Sequence, residues 1–107
     1  MLWPHCKVAD RRRERLLGIM LQKKLREPLL IPFEREGRKA NAIHSFFCLV
    51  PFDAVFLNSA GRVVDIRKSI PPFQPLIVPA KPAAAVLETP AGECKRVKMG
   101  DKLQFKR

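Results

Sequence analysis

The sequence predicts a mostly β domain: a small antiparallel β sandwich or barrel with one N-terminal α-helix. Three observations carry that prediction. Ten prolines against five glycines in 107 residues break the chain into short elements. Short runs rich in Val, Ile and Phe are separated by turn signals, as in a pleated sheet with a buried face. Only one stretch, following Asp10, gathers apolar residues on one side of a helix. The length fits a single domain over residues 1–107, since a chain this size buries roughly 60–70% of its unfolded surface in one core.

Residues 1–9 hold Trp3, Pro4, His5 and Cys6 before the apolar pair Val8 and Ala9, and suit an edge strand. Asp10 then serves as an N-cap, because its carboxylate accepts the free N–H groups of the next turn. Arg11 to Met20 reads as helix, with Leu16, Leu17, Ile19, Met20 and Leu21 on its apolar side. Arg11, Arg12, Arg13 and Arg15 crowd its start against the macrodipole, at a few tenths of a kcal/mol each. Gly18 inside a helix costs about 1 kcal/mol relative to Ala, which close approach of another backbone would offset. Lys23, Lys24, Arg26 and Pro28 end the helix in a basic loop.

Leu29 to Phe33 predicts a strand with Pro32 at an edge or bulge. Glu34 to Ala42 reads as a charged loop. Ile43 to Val50 is the most β-like run, and Pro51 breaks it. Ala54 to Asn58 and Arg62 to Lys68 predict a hairpin of about four loop residues or fewer, turning at Ser59-Ala60-Gly61. Pro71 to Pro75 is an extended crossing segment. Leu76 to Val78 is short and apolar. Ala83 to Thr89 predicts a strand closed by Pro90-Ala91-Gly92. Glu93 to Val97 suits one helical turn, and Lys102 to Lys106 a terminal strand.

Charge is the strongest compositional signal. Lys and Arg number 21 against 10 Asp and Glu, a formal net charge of +11. Both the first forty residues and the remainder are basic, so the charge is no detachable tail. Such a field attracts polyanions, which makes an anionic ligand or a nucleic acid the expected partner. Cys6, Cys48 and Cys94 are odd in number and widely spaced, which argues against a disulfide framework and for a reducing cytoplasm. No apolar run is long enough to span a membrane, and no export signal precedes the arginine cluster. The expected state is a cytoplasmic monomer.

Three stretches, taken together, resemble one bacterial and archaeal family. Glu14-Arg15-Leu16-Leu17-Gly18-Ile19-Met20 is similar to its helical E-R-x-x-G-L-M element. Ile43 to Cys48, Val50 to Asp53, Val55 to Asn58 and Gly61 to Val64 resemble I-H-T-F-F-M, F-P-I-D, V-x-F-L-D and G-x-V-V. Ala85 to Glu88, Pro90 to Gly92 and Gly100 to Leu103 resemble A-x-x-V-L-E-x-P-A-G and G-D-x-L. The family is domain of unknown function 192, and the resemblance covers about residues 7–106. It implies a mostly β, jelly-roll-like domain with one N-terminal helix. It brings no biochemical activity with it. Cys48 stands where Met or Thr is usual, and Asn58 where Asp is usual.

Few residues offer chemistry. On a strand from Ile43, His44, Phe46 and Cys48 share one face. Asp53 follows Pro51, where it either caps a turn or pairs with His44. The candidate ligand-binding set is Arg15, Gly18, Met20, His44 and Asp53, with Arg15 supplying anion affinity in a groove between helix and sheet. A small hydrolase or lyase using His44 and Asp53 is the alternative. Nonspecific nucleic-acid binding through Arg11, Arg12, Arg13, Lys23 and Lys24 is a second. Zinc-type ligands are present, but His44 and Cys48 lie about 13 Å apart on a strand, so no metal or other cofactor is expected. Cys94 beside Lys95 and Arg96 lacks a positioned base. No Gly-rich phosphate loop occurs.

Overall fold

The computed structural model describes residues 2–3, 7–8, 29–38, 51–71, 77–92 and 94–105. The helix expected over 11–20 and the strand expected over 43–50 lie outside them. The described strands are β1 (Leu2–Trp3), β2 (Lys7–Val8), β3 (Leu29–Gly37), β4 (Phe52–Leu57), β5 (Val63–Ile70), β6 (Ala83–Pro90) and β7 (Gln104–Phe105). Five of them form one sheet in the order β2-β3-β6-β4-β5, and β1 pairs with β7.

The β-rich expectation holds; the closed architecture does not. Among the described residues the five-stranded sheet is open, with β2 and β5 as its edges. Two pairings are parallel, β1 with β7 and β2 with β3, whereas β3–β6, β6–β4 and β4–β5 are antiparallel. Residues outside the sheet pack against both of its faces. One apolar cluster gathers Ile31, Phe52, Ala54, Phe56, Ile70 and Val86 with Ile77, which lies between β5 and β6 in the chain. The other gathers Val55, Leu57, Val63 and Leu87 with Cys94, Val97 and Leu103 from the C-terminal stretch.

Strand β4 lies between these clusters, and every residue of it is buried. Phe52, Ala54 and Phe56 belong to the first face, Val55 and Leu57 to the second. A strand buried on both sides reads as a continuous apolar run. Its start, Phe52-Asp53, therefore precedes the expected boundary at Ala54. Strand β3 likewise continues through the expected charged loop to Gly37, with a register shift between Pro32 and Gly37. The β4–β5 hairpin leaves Asn58–Arg62 as its loop, one residue more than expected. The Asn58 side chain holds that loop, its Oδ1 accepting the N–H groups of Ala60 and Arg62 at 3.0 Å each. Gly61 turns it with φ +79°, and a Cβ there would meet the Leu103 carbonyl oxygen at 3.3 Å.

Two bulges bend β5 along β4. Val64 is extra between the pairs Phe56–Asp65 and Leu57–Val63, and a second irregularity falls between Phe52–Ile70 and Ala54–Arg67. At the second, Ser69 takes φ 51°. The left-handed region costs a non-glycine residue roughly 1–2 kcal/mol, so something must hold it there. The site geometry supplies that holder.

Candidate functional site

Asp53 is 1% exposed and accepts two backbone hydrogen bonds. Ser69 N–H donates to its Oδ1 at 2.7 Å, and Gly92 N–H to its Oδ2 at 2.9 Å. One carboxylate thus pins the strained bulge of β5 and the turn that follows β6. Gly92 has φ +93°, a conformation glycine adopts without strain. Cross-strand from Asp53 stands Thr89, whose Oγ1 lies 3.1 Å from Cys94 Sγ, so the C-terminal stretch begins against the same corner.

The opposite face of the same strand pair holds a different carboxyl group. Glu88 is 4% exposed and lies cross-strand from Ala54. Strand alternation puts it on the face of Val86, Phe52 and Phe56, an apolar setting. Its buried Oε2 has no hydrogen-bond partner among the described residues. Burial pushes its pKa up to about 8, because the charged form loses its water. At pH 7 Glu88 is therefore mostly a neutral carboxylic acid, with a proton to donate.

Register adds a cation to this row. Ala54 faces Glu88 on one side and Arg67 on the other. Two strand spacings separate the backbones of Glu88 and Arg67 by about 9.5 Å. Ala54, the small residue between them, leaves that stretch of the face low. Arg67 itself is braced. Its Nε donates to Asp65 Oδ2 at 2.9 Å and its NH2 to the Val78 carbonyl at 2.9 Å, while Asp65 Oδ2 also accepts Ala80 N–H at 2.9 Å. The pair ties Val78 and Ala80 to β5. The Arg67 side chain stays 43% exposed.

Of the residues expected to form a site, only Asp53 is described. Arg15, Gly18, Met20 and His44 lie outside the described residues, as do Arg11, Arg12, Arg13, Lys23 and Lys24. Glu88 and Arg67 were not singled out by sequence reasoning. One signal pointed to Glu88: it is the lone acid in the Ala83–Thr89 run, between Leu87 and Thr89. Among the described residues no three His, Cys, Asp or Glu side chains gather as a metal site. No described helix is long and apolar enough to cross a membrane.

The DUF192 family model, described as "Uncharacterized ACR, COG1430", matches residues 2–105. A UPF0127 protein of Pyrococcus horikoshii is 35% identical over 92% of this chain and 85% of its own length. A UPF0127 protein of Thermococcus sibiricus is 32% identical over the same share, and the chain spans 64% of its length. Among solved structures, a protein of unknown function from Novosphingobium aromaticivorans superposes with a TM-score of 0.78 at 25% identity, covering 89% of this chain and 70% of that one.

Proposed function

We propose that this chain, which belongs to the family of domain of unknown function 192, is a small non-catalytic protein that binds an anionic ligand beside Glu88. The observation that carries this reading is the buried Glu88 Oε2, which has no partner among the described residues. An unsatisfied buried polar atom costs about 1–3 kcal/mol, and a ligand that supplies the partner recovers that energy. As a neutral acid, Glu88 donates its proton to an oxyanion instead of repelling it. Arg67, in the same cross-strand row, supplies the positive charge. The apolar face with few polar groups suits a small carboxylate with an apolar body. Arg15, Gly18, Met20 and His44, the further candidates from the sequence, remain part of the proposed ligand-binding set. The protein acts as a cytoplasmic monomer.

Asp53 supports a non-catalytic role, since each of its oxygens already accepts a backbone N–H. An enzyme pairing it with His44 gains no support from a carboxylate so engaged.

Thermal melts at pH 6 with a panel of small mono- and dicarboxylates test the proposal. A ligand at ten times its Kd stabilises by about 1.4 kcal/mol. For a domain this size that raises Tm by roughly 6–11 °C. The shift should vanish in Glu88→Leu and shrink in Arg67→Met. Wild-type protein unmoved by every carboxylate at millimolar concentration, or variants that respond like wild type, would refute it.

A further inference from the structure

We infer that the turn carrying Lys95, Arg96 and Lys98, with Arg62 and Lys102 beside it, is a docking surface for the phosphodiester backbone of nucleic acid. This surface is independent of the Glu88 row and is built from other residues than the N-terminal arginines. The backbone assembles it. Val63 N–H donates to the Asp101 carbonyl, Gly100 N–H to the Val63 carbonyl and Leu103 N–H to the Gly61 carbonyl, which lashes residues 100–103 to the β4–β5 hairpin. Arg62 and Lys102 thereby become antiparallel cross-strand partners. This crossing brings two exposed basic residues together at the surface. Arg62 NH1 donates to the Gly100 carbonyl at 3.2 Å, which holds the guanidinium against the turn. All five cations are exposed.

Few acids are described near Lys95, Arg96 and Lys98. Asp101 is the one carboxylate described between Cys94 and Leu103, and its Oδ2 accepts Lys98 N–H at 3.0 Å. Glu36 reaches the same hairpin, where its Oε2 accepts Ser59 N–H. Lys95, Arg96 and Lys98 have no ion-pair partner among the described residues.

The apolar content of the surface selects the partner. Met99, 55% exposed, is the single exposed large hydrophobic side chain among the described residues. One methionine gives little area to insert into a bilayer. No exposed aromatic ring is described on which a base could stack. Contacts to phosphates alone remain, so binding should be blind to sequence and strongly dependent on salt.

Fluorescence anisotropy with a labelled 20-base-pair duplex between 50 and 200 mM salt tests the inference. Lys95→Glu/Arg96→Glu/Lys98→Glu changes only exposed side chains, and an unchanged melting temperature confirms its fold. If three phosphate contacts are lost, the slope of log K against log salt should flatten by roughly 2.7, with affinity at 50 mM falling by about tenfold or more. Arg11→Ala/Arg12→Ala/Arg13→Ala should keep most of the slope. Three results would overturn the inference: no duplex binding at 50 mM salt, a slope lost only with the N-terminal arginines, or binding to phosphatidylglycerol vesicles without binding to duplex.

Discussion

Glu88 sets a pH dependence that one substitution isolates. Its folded pKa is raised to about 8, above an unfolded value of 4.5. Between these values the native state holds a proton that the unfolded chain has released, so stability falls as pH rises. The contribution is fully present below the unfolded pKa and is lost as pH climbs through the folded one. The shift corresponds to up to roughly 5 kcal/mol across that window. Denaturant midpoints for wild type should drop from pH 5 to pH 8, whereas Glu88→Gln, which cannot ionise, should show a much flatter profile. Equal slopes for the two proteins would show that Glu88 is not the group responsible. This behaviour was not legible from the sequence. A lone glutamate in an apolar run has the same letters whether its head reaches water or not, and only the strands on both sides of β6 decide which.

Asp53 joins elements that are distant in sequence. The residue was legible as a turn acid after Pro51, and the structure gives its carboxylate the bonding of a cap. Its actual donors were not legible, because Ser69 and Gly92 reach it only through the β5 bulge and the β6 turn. Asp53→Asn keeps the shape but offers one acceptor oxygen to two donors, with an NH2 group facing the other N–H. Hydrogen bonds to charged groups contribute about 1.5–3 kcal/mol, so a loss of about 2 kcal/mol is expected by chemical denaturation. Amide exchange at Ser69 and Gly92 should accelerate together, because a single side chain holds both. Unchanged protection at either site would contradict this linkage. Strand positions were otherwise well anticipated where turn residues punctuate them, as at Ser59-Ala60-Gly61 and Pro90-Ala91-Gly92. Boundaries slipped where burial on both faces, as in β4, or a register shift, as in β3 between Pro32 and Gly37, obscured the alternation.

Pairing order belongs to the whole molecule. Alternation tells which residues share a face, but not which strand is the neighbour, so nothing in the sequence placed β6 between β3 and β4. Seven described strands agree with the expected β content, and an open sheet replaces the expected closed one. The contacts this order creates are remote in sequence: Leu30 pairs with Leu87 and Val55 with Leu87 across β6. Loop closure must precede such contacts, so refolding should take milliseconds to seconds, as is typical of chains dominated by non-local pairing. A microsecond relaxation to the native near-ultraviolet spectrum would contradict this.

The central place of β6 has a consequence for biosynthesis. Translation delivers residues 83–90 after every other strand of the five-stranded sheet, yet both β3 and β4 bond to them and not to each other. Of the described pairings, a nascent chain in which that segment has not yet emerged can zip only the β4–β5 hairpin and the short β2–β3 contact. Its remaining edges stay sticky and unsheltered until the keystone arrives.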